Sequence, residues 1–123
     1  MEKKNIDWSS IGFAYMPTDY RYVSNFKDGK WDEGTLSTDP NIVLNECAGV
    51  LQYSQSVFEG LKAYTTEDGH IVTFRPDLNA ERMAASAARL EMPVFPKERF
   101  IDAVEQVVKA NAAWVPPYGS GAT

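Results

Sequence analysis

The chain holds one cysteine, Cys47, and one histidine, His70. Two such residues cannot build a Cys–His cluster of metal-ligand spacing, so no metal site is expected. A thiol–imidazole dyad of the pair is arithmetically possible, but nothing local to either residue supports it. His70 follows Asp68-Gly69 and reads as a turn histidine. Gly119-Ser120-Gly121 follows a helical stretch, whereas a phosphate-cradling glycine loop precedes one, so it reads as a connector.

Two other segments carry more chemistry. The run Tyr53-Ser54-Gln55-Ser56-Val57-Phe58-Glu59-Gly60-Leu61-Lys62-Ala63-Tyr64 places a glycine inside a strand-like stretch. Glycine weakens a strand, and its presence marks a bulge or a close approach by a ligand or another backbone. In a regular strand Phe58, Gly60 and Lys62 share one face, giving an aromatic wall, a gap and a cation in a row. The plain alternative is a half-buried strand with a snorkelling lysine.

Arg82 is the second candidate. The spacing puts it one turn into a helix that Asp77 can cap, where backbone N–H groups and the helix dipole favour anions. A guanidinium there can grip a phosphate in a forked, charge-assisted contact. The plain alternative is a solvated arginine paired with Asp77 or Glu81.

These residues need elements to position them. Up to about Phe74 the chain is rich in β-branched and aromatic residues; after Pro76 it is rich in alanine and charged helix formers. Strands followed by helices predict an α+β fold, an antiparallel sheet with helices packed on it. Phe13 to Phe26 reads as a strand, turned by Lys27-Asp28-Gly29-Lys30 into a hairpin that resumes at Trp31. Asn41 to Asn45 reads as a short strand. The runs Val57–Thr66 and His70–Arg75, joined by Thr66-Glu67-Asp68-Gly69, form the clearest hairpin. A helix follows Pro76, with Leu78, Met83, Ala84, Ala87 and Leu90 near one face, and ends at Met92-Pro93. A second starts at Pro96 and carries Phe100, Ile101, Val104, Val107, Val108 and Asn111 at the same period, stopping at Trp114-Val115-Pro116-Pro117.

At 123 residues the chain suits one domain, over 1–117, with 118–123 as the start of a connector. A net charge of −5 and scattered basic residues argue against nucleic-acid binding. No stretch approaches the roughly 20 apolar residues that span a bilayer, so no membrane association is expected. The polar start lacks a signal-peptide core, and the lone Cys47 fits a reducing cytoplasm.

Tyr-x-x-x-x-Phe-Glu-Gly-x-Lys-Ala-Tyr over Tyr53–Tyr64, followed by Phe74-Arg75-Pro76-Asp77-Leu78-Asn79-Ala80-Glu81-Arg82-Met83, closely resembles the branched-chain amino acid aminotransferases. These are fold-type IV pyridoxal-phosphate enzymes, with the D-amino acid aminotransferase-like fold. The resemblance runs from about Phe13 to Thr123 and takes in Thr18-Asp19 and Trp114-Val115-Pro116. Several spaced segments in one order are more specific than any single motif.

The resemblance implies that the chain is the small amino-terminal domain of a homodimeric, cytoplasmic enzyme. That enzyme would move the amino group of leucine, isoleucine or valine to 2-oxoglutarate with pyridoxal 5'-phosphate. Carried over by position, Arg82 binds the cofactor phosphate, and Tyr53 and Phe58 wall the pocket for the substrate's aliphatic chain. Gly60 lies beside them, Lys62 is the basic position of that strand, and Phe13 is a further pocket aromatic. An apolar wall of this kind favours aliphatic groups by about 0.8 kcal/mol per buried methylene. The family's Schiff-base lysine and the glutamate on the pyridine nitrogen come from a second domain. No catalytic residue is therefore assigned here, Glu59 has no acid–base role, and the chain alone is expected to be inactive. The nearest alternatives are a D-amino acid aminotransferase or an aminodeoxychorismate lyase. More distant ones are a non-catalytic phosphate-binding module and a purely structural fragment.

Overall fold

The computed structural model describes residues 1–122, and the architecture is α+β. Six short strands form three separate antiparallel pairs rather than one sheet. They are β1 (Arg21–Val23), β2 (Phe26–Lys27), β3 (Lys30–Trp31), β4 (Thr35–Ser37), β5 (Ala63–Thr65) and β6 (Ile71–Thr73). The helices are α1 (Gly49–Tyr53), α2 (Pro76–Arg89) and α3 (Lys97–Ala110).

The Asp28-Gly29 turn forms as its chemistry demands. Both residues have positive φ, 52° and 79°, as a two-residue turn of type I′ between β2 and β3 requires. Phe26 faces Trp31 across this pair with ring centroids 5.3 Å apart. Trp31 also meets Phe95 edge-on at 4.9 Å, and its indole N–H donates to the Val94 carbonyl at 2.9 Å. The hairpin is thereby fastened to the loop between α2 and α3. The predicted hairpin around Asp68-Gly69 is present as β5 and β6, with Thr66 N–H donating to the His70 carbonyl at 2.8 Å.

Three strand expectations need correction. Of Phe13–Phe26 only residues 21–23 and Phe26 lie in strands, because Asp19 and Tyr20 are drawn to other partners. Asn41–Asn45 joins no ladder among the described residues and leaves Ile42 and Val43 on the surface. In Val57–Thr66 only Ala63–Thr65 joins a ladder. Helix α1, five residues long, has no sequence signal strong enough to have been read.

Both long helices lie where the periodicity places them. Ala80 and Ala87 of α2 are buried, and these small residues allow close packing against α3. Leu78 and Leu90, at the ends of the same stripe, stay about half exposed. Helix α2 ends in a Schellman arrangement: Glu91 is left-handed at φ 56°, and the Met92 N–H donates to the Ala87 carbonyl at 2.8 Å. Asn111, 8% exposed, accepts from the Tyr20 N–H at 2.9 Å and donates to the Tyr20 carbonyl at 2.8 Å. Its amide thus completes the backbone of residue 20 as a neighbouring strand would.

The amino-terminal segment crosses the end of α3. Lys4 N–H donates to the Ala113 carbonyl at 2.9 Å, and Lys3 Nζ reaches Thr65 Oγ1 and the Ala112 carbonyl at 3.2 and 3.1 Å. Lys4 Nζ pairs with Asp19 at 3.2 Å while lying 4.9 Å above the Trp114 ring. Even so, 9212 Å² remains accessible, against roughly 6,600 Å² for a compact monomer of this mass. Phe13, Val43, Tyr53, Phe58 and Phe74 are all strongly exposed. The chain leaves much of its own apolar surface exposed.

Candidate functional site

Along residues 57–65 the side chains alternate: 57, 59, 61, 63 and 65 face inward, while 58, 60, 62 and 64 are exposed. The shared face expected for Phe58, Gly60 and Lys62 is therefore present, although residues 57–62 have no ladder partner. The alternation also turns Glu59 inward, where its side chain is 6% exposed. A buried carboxylate needs a partner, and helix α2 supplies two.

Asn79 and Arg82 stand three residues apart, and so on one face of α2. Asn79 Nδ2 donates to Glu59 Oε2 at 2.8 Å and to the Gly60 carbonyl at 3.0 Å. Arg82 donates through Nε to Glu59 Oε1 at 2.5 Å and through Nη2 to Oε2 at 2.8 Å. These contacts hold the Glu59 carboxyl at a pKa of about 2, the Arg82 hydrogen bonds contributing most and Asn79 next. The same contacts raise the pKa of Arg82.

Two features of the sequence reading of Arg82 are corrected by this geometry. Its carboxylate partner is Glu59, not Asp77 or Glu81. It is also the seventh residue of α2, about two turns in, and so lies beyond the unpaired N–H groups of the helix start. Asp77 does not cap that helix. The cap position is Arg75, left-handed at φ 49°, and Asp77 accepts from Arg75 Nε and Nη2 at 2.9 and 2.8 Å. That ion pair holds the Asp77 carboxyl at about 2.

Arg82 nonetheless suits an anion. Its side chain is 68% exposed, and Nη1 has no hydrogen-bond partner among the described residues. One edge of the guanidinium is occupied by Glu59 and the other is open, so it can receive a phosphate oxygen in a second fork. The phosphate of pyridoxal 5'-phosphate fits this residue. Such a contact would rest on a directed set of N–H donors more than on a free charge, because Glu59 already neutralises Arg82.

Glu59 connects Arg82 to a groove of about 790 Å³ lined by Phe58, Glu59, Gly60, Tyr22, Trp31 and Phe100, among others. Phe58 is 88% exposed at its mouth. A Cβ built on Gly60 would meet only the Phe58 ring, at an ordinary 3.5 Å, and Gly60 has no positive φ. Neither positive φ nor internal crowding requires the glycine, which leaves the approach of a ligand or of another backbone as its reading.

The remaining candidates lie apart from that groove. Lys62 lines a second cavity, of about 680 Å³, with Met16, Thr18, Tyr64, Trp114 and Tyr118. Tyr53 ends α1 and is 85% exposed, and Phe13 is fully exposed; neither lines either cavity. Among the described residues no group of three or more His, Cys, Asp or Glu side chains could hold a metal. His70 is an exposed turn residue 3.4 Å from Asp68, and Cys47 is a free, exposed thiol. No helix among these residues is long and apolar enough to cross a membrane.

The residue of this cluster that sequence reasoning missed is Asn79, together with the structural role of Glu59. Their signal was present: Glu59 sits out of phase with the exposed face of its segment, and Asn79 lies one turn before Arg82.

The chain is similar to several curated proteins. The chain is 54% identical over 120 residues to a branched-chain-amino-acid aminotransferase of Haemophilus influenzae, covering 98% of the chain and 35% of that protein. It is 43% identical over 120 residues to the enzyme of the same name from Helicobacter pylori, with the same coverages. It is 46% identical over 118 residues to a methionine aminotransferase of Arabidopsis thaliana, covering 95% of the chain and 33% of that protein. The chain spans about a third of the length of the curated relatives it matches. No protein-family model matches it.

Proposed function

We propose, from the premise that this chain corresponds in sequence to the amino-terminal part of the branched-chain aminotransferases, that it forms the phosphate-anchoring, substrate-walling part of such a transaminase. The enzyme transfers the amino group of leucine, isoleucine or valine to 2-oxoglutarate. Pyridoxal 5'-phosphate, when bound, supplies the electron sink for amino transfer. In this chain Arg82 holds the cofactor phosphate through its open guanidinium edge. Phe58 and Gly60 present a wall and a gap to the substrate's aliphatic chain, with Tyr53, Lys62 and Phe13 completing the pocket once further protein packs on this surface.

The observation that carries the reading is the Glu59–Arg82 fork, which ties an exposed phosphate-binding group to the groove flanked by Phe58 and Gly60. The large exposed apolar area supports a homodimer in which additional protein covers Phe13, Tyr53 and Phe58. The enzyme is placed in the cytoplasm, in keeping with the single free Cys47. Likeness to a methionine aminotransferase extends the substrate class. A wall of aromatic and apolar groups accepts an unbranched thioether about as readily as a branched chain, so methionine is included as a donor.

The test is a donor survey on the enzyme that carries this chain, with pyridoxal phosphate and 2-oxoglutarate present. Glutamate formation from L-leucine, L-isoleucine and L-valine, with little from D-alanine, is the expected result. Preferred use of D-alanine would move the protein to the D-amino acid aminotransferases.

A further inference from the structure

We propose that Asn79 and Glu59 are positioning residues for the phosphate anchor: they lock one edge of the Arg82 guanidinium so that its other edge is presented to an oxyanion. The inference rests on the reading of Arg82 as that anchor. A guanidinium is a rigid planar fork on a long, flexible stem, and its orientation is lost unless something holds the plane. Here two bonds to one carboxylate, at 2.5 and 2.8 Å, fix the plane and consume Nε and one N–H of Nη2. The donors left are those of Nη1 and the outer N–H of Nη2, which lie together on the far edge.

Glu59 could rotate if Arg82 were its only contact. Asn79 prevents this by donating to Glu59 Oε2 and to the Gly60 carbonyl of the same segment, at 2.8 and 3.0 Å. Asn79 and Arg82 are on one face of one helix, so α2 holds Glu59 by both contacts, and the glycine beside the substrate groove is held with it. Phosphate orientation and groove position are therefore set by a single cluster. The amide adds direction to this contact and no charge.

The experiment measures inorganic phosphate binding to the protein by phosphorus NMR, alongside the Arg82 Nε–H proton signal and its exchange with solvent. The proposal expects wild-type protein to bind phosphate and Arg82→Gln to abolish it. Asn79→Ala, which leaves every charge in place, should weaken binding roughly tenfold, the size usual for removing a partner that orients a ligating group. It should also speed exchange of the Arg82 Nε–H. Glu59→Asp keeps the carboxylate but shortens its reach, and should weaken binding to a similar degree even if Asn79→Ala proves poorly folded. Unchanged affinity in folded Asn79→Ala or Glu59→Asp, with Arg82→Gln still abolishing binding, overturns the positioning role and leaves the anchor standing. Binding indifferent to Arg82→Gln, or no binding at all by the wild-type protein, removes the anchor and the proposal together.

Discussion

Arg82 and Glu59 are joined by two hydrogen bonds across 23 positions of sequence, and the carboxylate is buried while the guanidinium is exposed. Arg82 therefore has a duty toward the fold beside the ligand role proposed for it. Removing it leaves a buried carboxylate without its charge partner, the costly way to break an ion pair. Arg82→Leu is expected to lower the unfolding midpoint further than the double variant Glu59→Gln with Arg82→Leu. Equal midpoints in urea titrations would show that the stranded carboxylate costs nothing.

The same pair sets an acid limb. The Glu59 carboxyl titrates at about 2 in the folded protein, against an ordinary 4.5, because Arg82 and then Asn79 hold its ionised form. A lowered folded pKa gives stability that is complete above the ordinary value and is lost as pH falls from there through about 2. Asp77, held at about 2 by Arg75, adds a second contribution of the same sign. Carboxyl carbon NMR should place the Glu59 midpoint near 2, and Glu59→Gln should flatten the loss of stability in that window. A Glu59 midpoint near 4.5 would contradict the geometry.

Gly60 separates fold from function. Its surroundings admit a methyl group, so Gly60→Ala should leave stability unchanged or raise it by about 0.5–1 kcal/mol. In the assembled enzyme the KM for leucine should rise several-fold, and Gly60→Val should raise it further. Unchanged KM in both variants would return Gly60 to a residue without a binding role.

Asn111 is the polar keystone of the junction between α3 and Tyr20. Replacement by leucine leaves the Tyr20 N–H and carbonyl without their partners, a loss of about 1–3 kcal/mol. Thermal unfolding of Asn111→Leu measures this directly, and a change within about 0.5 kcal/mol would mean that solvent replaces the amide.

What the sequence made legible was local. Asp28-Gly29 specifies a turn with two positive φ values, and helical spacing from Leu78 and from Phe100 specifies α2 and α3. The alternation of Phe58, Gly60 and Lys62 was also legible, because period two survives even where no strand pairs. Long-range matches were not: nothing near Arg82 in sequence announces Glu59, and nothing near Asn111 announces Tyr20. The expected strands at 13–20 and 41–45 failed for a related reason. Their apolar residues lack partners within this chain, and β propensity without a pairing edge does not make a strand. Tyr53, Phe13 and Lys62 do not line the Phe58 groove, a separation that no local spacing in the sequence shows.

The most direct test of the central claim is the affinity for pyridoxal phosphate in the assembled enzyme, measured on folded wild-type and Arg82→Gln protein with Glu59 intact. Arg82→Gln should weaken cofactor retention by at least about tenfold, the loss of one charge-assisted fork to a phosphate. Equal retention with and without Arg82 would contradict the account.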